Sequence, residues 1–404
     1  MKRFPFLLLL AAAAAAALHA KKPEPVEAPP SPIAAAMQGF VDKGELAGAV
    51  TLVWSGDKIV AHEATGFQDL ESKTPMAKDS LFWIASMTKP LTAMGVMMLV
   101  EEGKLGLDDP VEKHLPEFRG QMLLKEKKAE QTVLVKPARA ITIKDLLTHT
   151  SGLVGSSPLD AEALDVLTLK EAVITYALSP LQFEPGSKWS YCNPGINTLG
   201  RLIEVASGDD YAKFMERRFF KPLKMKDTTF WPSSGDLKKR LATSYKPAAD
   251  GKGLEPTTVK YLTAPYSSKR RTPLAAGGLF STAEDLLTIY RMVLNGGELD
   301  GKRYLSAESL KLMAQNHTGD LKAGFADGMG MGLGFQVVTT PTGVTSTLSA
   351  GTFGHGGAHG TQGWIDPVKK TIHILLIQRT GLLPTGDASP MRQAFHEAFA
   401  GMQK

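Results

Sequence analysis

Residues 86–103 read SMTKPLTAMGVMMLVEEG, and the point at which this run begins to coil sets everything else. Pro90 lacks an amide hydrogen and its ring collides with the turn before it, so it is tolerated only near a helix start. The helix must therefore begin close to Ser86. It runs from Met87 to Glu102, and Gly103 stands where a helix C-terminus favours glycine. Ser86 and Lys89 then lie one turn apart on the same face, about 5–6 Å apart at Cβ. A serine hydroxyl is a poor nucleophile until its proton is removed, and a lysine in a dry pocket holds its own proton weakly enough to help. The helix N-terminus favours negative charge developing beside it. Alone, a serine three residues before a lysine is a common pattern, and a capped helix explains it equally well.

Two further stretches supply what that pattern lacks. Residues 183–200, FEPGSKWSYCNPGINTLG, hold a Pro-Gly turn, an aromatic pair and a helix start. A loop so built can present Tyr191 and Asn193 to another element. A phenol can relay a proton, and an amide can hold a lysine or a substrate carbonyl. Between them, Cys192 invites a thiol-nucleophile reading, but alternation points it away from both neighbours, as a small buried side chain. Near the end, Gly354-His355-Gly356-Gly357-Ala358 adjoins a strand-like stretch. Glycines there let a backbone approach a ligand closely and leave an N–H free for an oxyanion.

SMTK, YCN and HGG, in that order, resemble the S-x-x-K, second and K-T-G motifs of beta-lactamases and penicillin-binding proteins. The tyrosine heading the second motif is similar to the class C beta-lactamase, D,D-peptidase and family VIII carboxylesterase branch. LLTHTSGL (146–153), AAGGLFSTAEDL (275–286) and GWIDP (363–367) look like the same branch, and the likeness spans about residues 35–400. It implies an α+β, beta-lactamase/transpeptidase-like fold: an antiparallel sheet flanked by helices plus a mainly helical subdomain. It also implies that Ser86 attacks a carbonyl, that Lys89 and Tyr191 take its proton, and that Asn193 steadies Lys89 and substrate. Gly357 and Ala358 are expected at the substrate or oxyanion side, with the N–H groups of Ser86 and of Ala358, the latter on the strand carrying the third motif, as the oxyanion donors. No metal or organic cofactor is implied, and His62, His114, His149, His317 and His373 show no metal-ligand spacing.

The chain departs from K-T-G at His355 and Gly356. A permanent cation and a hydroxyl suit a beta-lactam carboxylate, and here both are gone. His355 is left to polarise or position the Tyr191 phenol, with His359 a weaker rival, and His149 is read as fixing a turn.

Outward from these motifs, residues 33–43 read as a helix, and Ala47–Trp54 and Lys58–Ala64 as strands joined by the turn Ser55-Gly56-Asp57. The stretch 104–270 carries helical periodicity at 144–149, 161–178, 194–206 and 209–220, with a surface hairpin in 119–140. Strand-like runs return at 333–339, 361–365 and 371–377, before a helix from about Ser389 to Met402. Strands at both chain ends could share one sheet. One catalytic domain of residues 33–404 is expected, its α/β part made of 33–103 and 271–404 and its helical insertion of 104–270.

The first 20 of the 404 residues carry Lys2 and Arg3, a short apolar run and Ala20, which reads as a cleaved export signal, with a proline-rich linker over 21–32. The protein is thus expected in a bacterial periplasm or medium, without a stable membrane span. Loss of Lys2 and Arg3 leaves 44 basic residues against 41 acidic ones, too balanced for a nucleic-acid binder. The basic clusters Lys125–Lys128 and Lys269–Arg271 read as solvated loops, with a place near a substrate mouth as the alternative for the second. A single cysteine excludes an internal disulfide. Three functions follow in order: an ester or amide hydrolase working through an acyl-serine, esterase-like; a beta-lactamase or D-amino-acid peptidase acting on cell-wall-type amides; and a non-catalytic binding or assembly protein. The substrate is a small-molecule ester or amide or a cell-wall peptide, and the oligomeric state stays open.

Overall fold

Val50, Leu52 and Trp54 alternate with Ala49, Thr51 and Val53 along the strand Gly48–Ser55, so this strand must be covered on both faces. In the computed structural model it turns at Gly56-Asp57 and pairs with Lys58–Asp69, a longer return strand than Lys58–Ala64. Residues 30–156, 164–259 and 261–403 are described; the export signal, most of the linker and residues 161–163 of the expected helix lie outside them.

The two chain ends do share one sheet. Gly48–Ser55 lies between Lys58–Asp69 and the late strand Thr371–Leu376, with Val50 opposite Leu376 and Ser55 opposite Thr371. Beyond Thr371–Leu376 follow Gln362–Asp366, Phe353–Gly356, Gln336–Val338 and Met329–Met331; each of these pairings is antiparallel, and the short strand Thr74–Pro75 closes the other edge. Ala49, Val53 and Leu375 face the helices Pro32–Asp42 and Pro390–Met402, packing on Ile33, Met37, Met391, Phe395 and Phe399. The opposite residues, Val50, Leu52, Ile372, Ile374 and Leu376, join the main core with the helices Thr88–Glu101 and Ala283–Leu294. That two-sided burial explains why these strands carry so few polar residues.

Several segments depart from expectation for identifiable reasons. The first helix starts at Pro32, capped by the Ser31 hydroxyl, so the last two residues of the expected linker are its cap and its first residue. Of the described residues in the expected 161–178 helix, only Leu169–Leu178 is helical, where Thr168 and Glu171 form a reciprocal cap. Just before it, Asp165 is drawn inward to Arg271 at 2.6 Å, with both side chains essentially out of solvent. Arg271 is thus a buried ion-pair partner rather than part of a solvated loop. Residues 209–220 divide into an α-helix, Tyr211–Met215, and a π-helical turn, Glu216–Phe220. The hairpin in 119–140 is present as Leu123–Lys127 paired with Thr132–Val135. Among the described residues no helix is long and apolar enough to cross a membrane.

Candidate active site

The short strand Phe82–Trp83 pairs with Phe280–Ser281, and the chain then turns sharply into a 3-10 turn, Ala85–Met87, continued by the helix Thr88–Glu101. Ala85 takes the left-handed region at φ +47°, uncommon for a residue with a side chain, and this bend sets Ser86 at the strand-to-helix corner. Pro90 sits in the first α-helical turn, as its chemistry requires. Every residue from Thr88 to Leu99 is buried, so the helix is held on all sides.

Three side chains from two distant stretches meet at Ser86. The Tyr191 phenol donates to Ser86 Oγ at 2.6 Å, and Lys89 Nζ lies 3.0 Å from the same oxygen. Lys89 Nζ also donates to Asn193 Oδ1 at 2.8 Å and to the Ala276 carbonyl at 2.6 Å. Those two acceptors occupy two N–H bonds. The third position, towards Ser86, can hold either an N–H or a lone pair. Lys89 is wholly buried, and burial pushes its ammonium well below the ordinary lysine range, which favours the lone pair. Burial moves the Tyr191 phenol upward, against the opposing effect of its Ser86 hydrogen bond, so it remains a protonated donor.

The Tyr191 segment is fixed from behind. His149, itself left-handed at φ +58°, accepts the Cys192 N–H on Nδ1 at 3.1 Å, and its carbonyl accepts the Ser190 N–H. Its ring lies 4.7 Å from that of Tyr191, centroid to centroid. The turn-fixing role expected of His149 thus operates on the loop that presents Tyr191. Cys192 is buried and caps the helix Asn193–Ser207, its sulfur accepting the Gly195 N–H at 3.3 Å. Burial pushes its thiol up to about 12, which leaves no thiolate for nucleophilic chemistry.

The third motif approaches from the sheet, with two corrections. The strand ends at Gly356, so Ala358 occupies the turn after it rather than the strand itself. The Gly357 N–H donates to the Thr361 carbonyl at 2.7 Å and is not free for an oxyanion. Gly357 instead permits close packing, since a Cβ there would stand 2.6 Å from the Ile84 carbonyl, two residues before Ser86. Ala358 does line the pocket containing Ser86. His355 Nδ1 bonds the Gly356 carbonyl at 2.6 Å, while Nε2 is buried without a partner. Its ring is 6.3 Å from that of Tyr191, and no hydrogen bond joins them. Burial and then the nearby Lys89 lower its pKa to about 3, so it is neutral at pH 7. His359 turns away to Ser244 Oγ, at 3.1 Å.

The pocket has a volume of about 110 Å³, and its wall is largely apolar: Trp83, Leu164, Tyr261, Leu274 and Gly277 join the residues already described. Sequence reasoning missed Trp83 and the carbonyls of Ala276 and Gly277. The small residues of AAGG at 275–278 were the available signal, because they let that segment lie against the nucleophile turn. The cluster Lys269–Arg271 lines a separate cleft of about 1000 Å³ in which none of the Ser86 partners takes part.

Comparisons with known proteins agree with this architecture. The chain is 28% identical over 383 residues to Esterase EstB of Burkholderia gladioli, covering 87% of this chain and 90% of that one. It is 32% identical over 301 residues to Lovastatin esterase of Penicillium rubens, covering 70% and 72%. Its fold matches that of EstCE1, a hydrolase with promiscuous acyltransferase activity, with a TM-score of 0.75 at 24% identity over 92% of this chain and 98% of the other. The family model described as Beta-lactamase matches residues 33–397, and the chain belongs to that family of serine hydrolases.

Proposed function

We propose that this protein is an exported esterase that works through an acyl-serine on Ser86. The observation that carries the reading is the pair of contacts on Ser86 Oγ, from Tyr191 at 2.6 Å and Lys89 at 3.0 Å, with Lys89 fully buried. As Ser86 Oγ bonds to the acyl carbon, its proton passes to the neutral Lys89 amine. The carbonyl oxygen gathers charge, for which the backbone N–H groups of Ser86 and Ala358 are the donors. The carbon–oxygen bond to the alcohol then breaks. The Tyr191 phenol protonates the departing oxygen and regains a proton from Lys89. Water attacks the acyl-serine and gives its proton to the same pair, which passes it to Ser86 Oγ as the bond from that oxygen to the acyl carbon breaks and the carboxylic acid leaves. Asn193 and the Ala276 carbonyl hold Lys89 in place throughout, and His355 packs near the Tyr191 ring as a neutral group.

An ester fits better than a beta-lactam. Among the described residues no cationic side chain lines the pocket, Lys89 behind it is held neutral by burial, and His355, at the lysine position of K-T-G, is neutral too. A carboxylate-bearing substrate would find no charge partner there. The similarity to two proteins named as esterases points the same way. Lys2, Arg3, the apolar run after them and Ala20 support export to a periplasm or the medium.

A fluorescent phosphonate should label the purified protein and fail to label Ser86→Ala. p-Nitrophenyl butyrate should exceed nitrocefin in kcat/KM by more than about tenfold, or 1.4 kcal/mol of barrier. Faster nitrocefin turnover would reverse the assignment.

A further inference from the structure

Trp83 is the one described residue that lines both the pocket at Ser86 and a second cavity of about 660 Å³ on its far side. The small pocket holds about 110 Å³, against about 150 Å³ for a cavity that seats the six carbons of benzene, so it takes roughly four non-hydrogen atoms. The far cavity presents a mostly apolar surface, with Leu241, Val259, Pro265, Tyr266 and Phe280 in its wall beside Lys238, Gln378 and several hydroxyl side chains, and it has no assigned occupant. Trp83 is 3% exposed and tied down on three sides. Its Nε1–H donates to the Gly277 carbonyl at 2.7 Å, its own carbonyl accepts from Gln378 Nε2 at 2.9 Å, and the His359 ring meets it edge-on at 5.0 Å. Gly277 follows Ala276, whose carbonyl holds Lys89. One peptide segment therefore fixes both the base and the partition.

We infer that Trp83 is a fixed partition that limits the ester's apolar arm to about four carbons, and that the cavity behind it is a latent subsite for a longer apolar chain. The inference rests on the esterase reading of Ser86. A swinging door would need a side chain free to rotate, whereas the indole is held by its hydrogen bond to Gly277 and by the rings of His359 and Tyr261, at 5.0 and 6.3 Å. The partition acts on whichever arm, acyl or alcohol, enters beneath the indole.

Two substrate series distinguish the arms: p-nitrophenyl esters with acyl chains of two to twelve carbons, and acetates of alcohols of the same lengths. In the parent protein, kcat/KM in one series should peak near four carbons and fall beyond. Trp83→Ala should move that peak to eight or more carbons, each newly buried methylene being worth about a fourfold change. Adding Thr258→Trp, at an exposed position on the far cavity, should refill that space and return the peak towards the parent's. Trp83→Phe, a milder change that loses the bond to Gly277, should give an intermediate shift and carries the test if Trp83→Ala does not fold. Phosphonate labelling is read in parallel. An unlabelled parent sinks the esterase reading itself. Labelled variants whose two length profiles both coincide with the parent's overturn the partition.

Discussion

At Ser86 the decisive question is which group gives up a proton, and the hydrogen-bond count around Lys89 answers it. Two carbonyl-type oxygens, on Asn193 and Ala276, consume two N–H bonds, and burial disfavours the charged amine that would supply a third. The free enzyme should therefore gain activity as pH rises through the depressed Lys89 pKa, because the deprotonated amine is the active form. Plotted for a neutral ester, kcat/KM should rise in a single step below the ordinary lysine value of about 10.4. A rise coinciding with that value would show that Lys89 is not held neutral. Tyr191→Phe should lower kcat by about 10²- to 10⁴-fold with little change in KM, because it removes a proton donor to the leaving oxygen and keeps the ring between His149 and Phe325. Ser86, Lys89 and Tyr191 were legible in the sequence because the chemistry resides in their side chains. The Ala276 and Gly277 carbonyls were not, since a backbone acceptor leaves no mark in residue identity.

Elements were legible where their pattern was local. The hairpin of Gly48–Ser55 and Lys58–Asp69 and the helix after Pro90 follow from alternation, turn residues and proline stereochemistry. Residues 164–168 were misread because their periodicity continues into the helix Leu169–Leu178, while the force that bends them, the buried Asp165–Arg271 pair, comes from 106 residues away. The third motif shows the same limit: its glycines signalled close backbone approach, but only the fold reveals that Gly357 packs on Ile84 while Ala358 faces the pocket. Gly357→Ala tests that distinction. Its Cβ would press on the Ile84 carbonyl and on Thr361, forcing the turn away from Ser86. Overpacking of this kind costs about 1–3 kcal/mol, so the melting temperature should drop and phosphonate labelling should slow together. Unchanged melting and labelling would mean that the turn has room to spare.

Across the whole molecule, the convergence of sheet, nucleophile helix and Tyr191 loop buries many ionisable groups without counterions, and this makes folding sensitive to pH. His149, His355, His359, His373 and His396 are all held below the ordinary histidine value, chiefly by burial, with His355 at about 3 and His359 and His373 at about 4. In the unfolded chain they would take up protons near pH 6.5. Below that pH the unfolded state binds protons the folded state refuses, so stability present above about pH 7.5 is lost as the pH falls towards 4. Each such histidine removes up to about 1.4 kcal/mol per pH unit. Asp285 and Asp387 work in the opposite sense, since burial raises both carboxyls, Asp285 to about 6, and the folded state protonates them first, but they stand against these five histidines. Between pH 7.5 and 5, above the range where ordinary carboxylates titrate, the melting temperature should fall steadily. His359→Gln, which can still bond Ser244, should flatten that slope by one proton's share. A melting temperature constant across this interval would show that the buried imidazoles reach water before the chain unfolds.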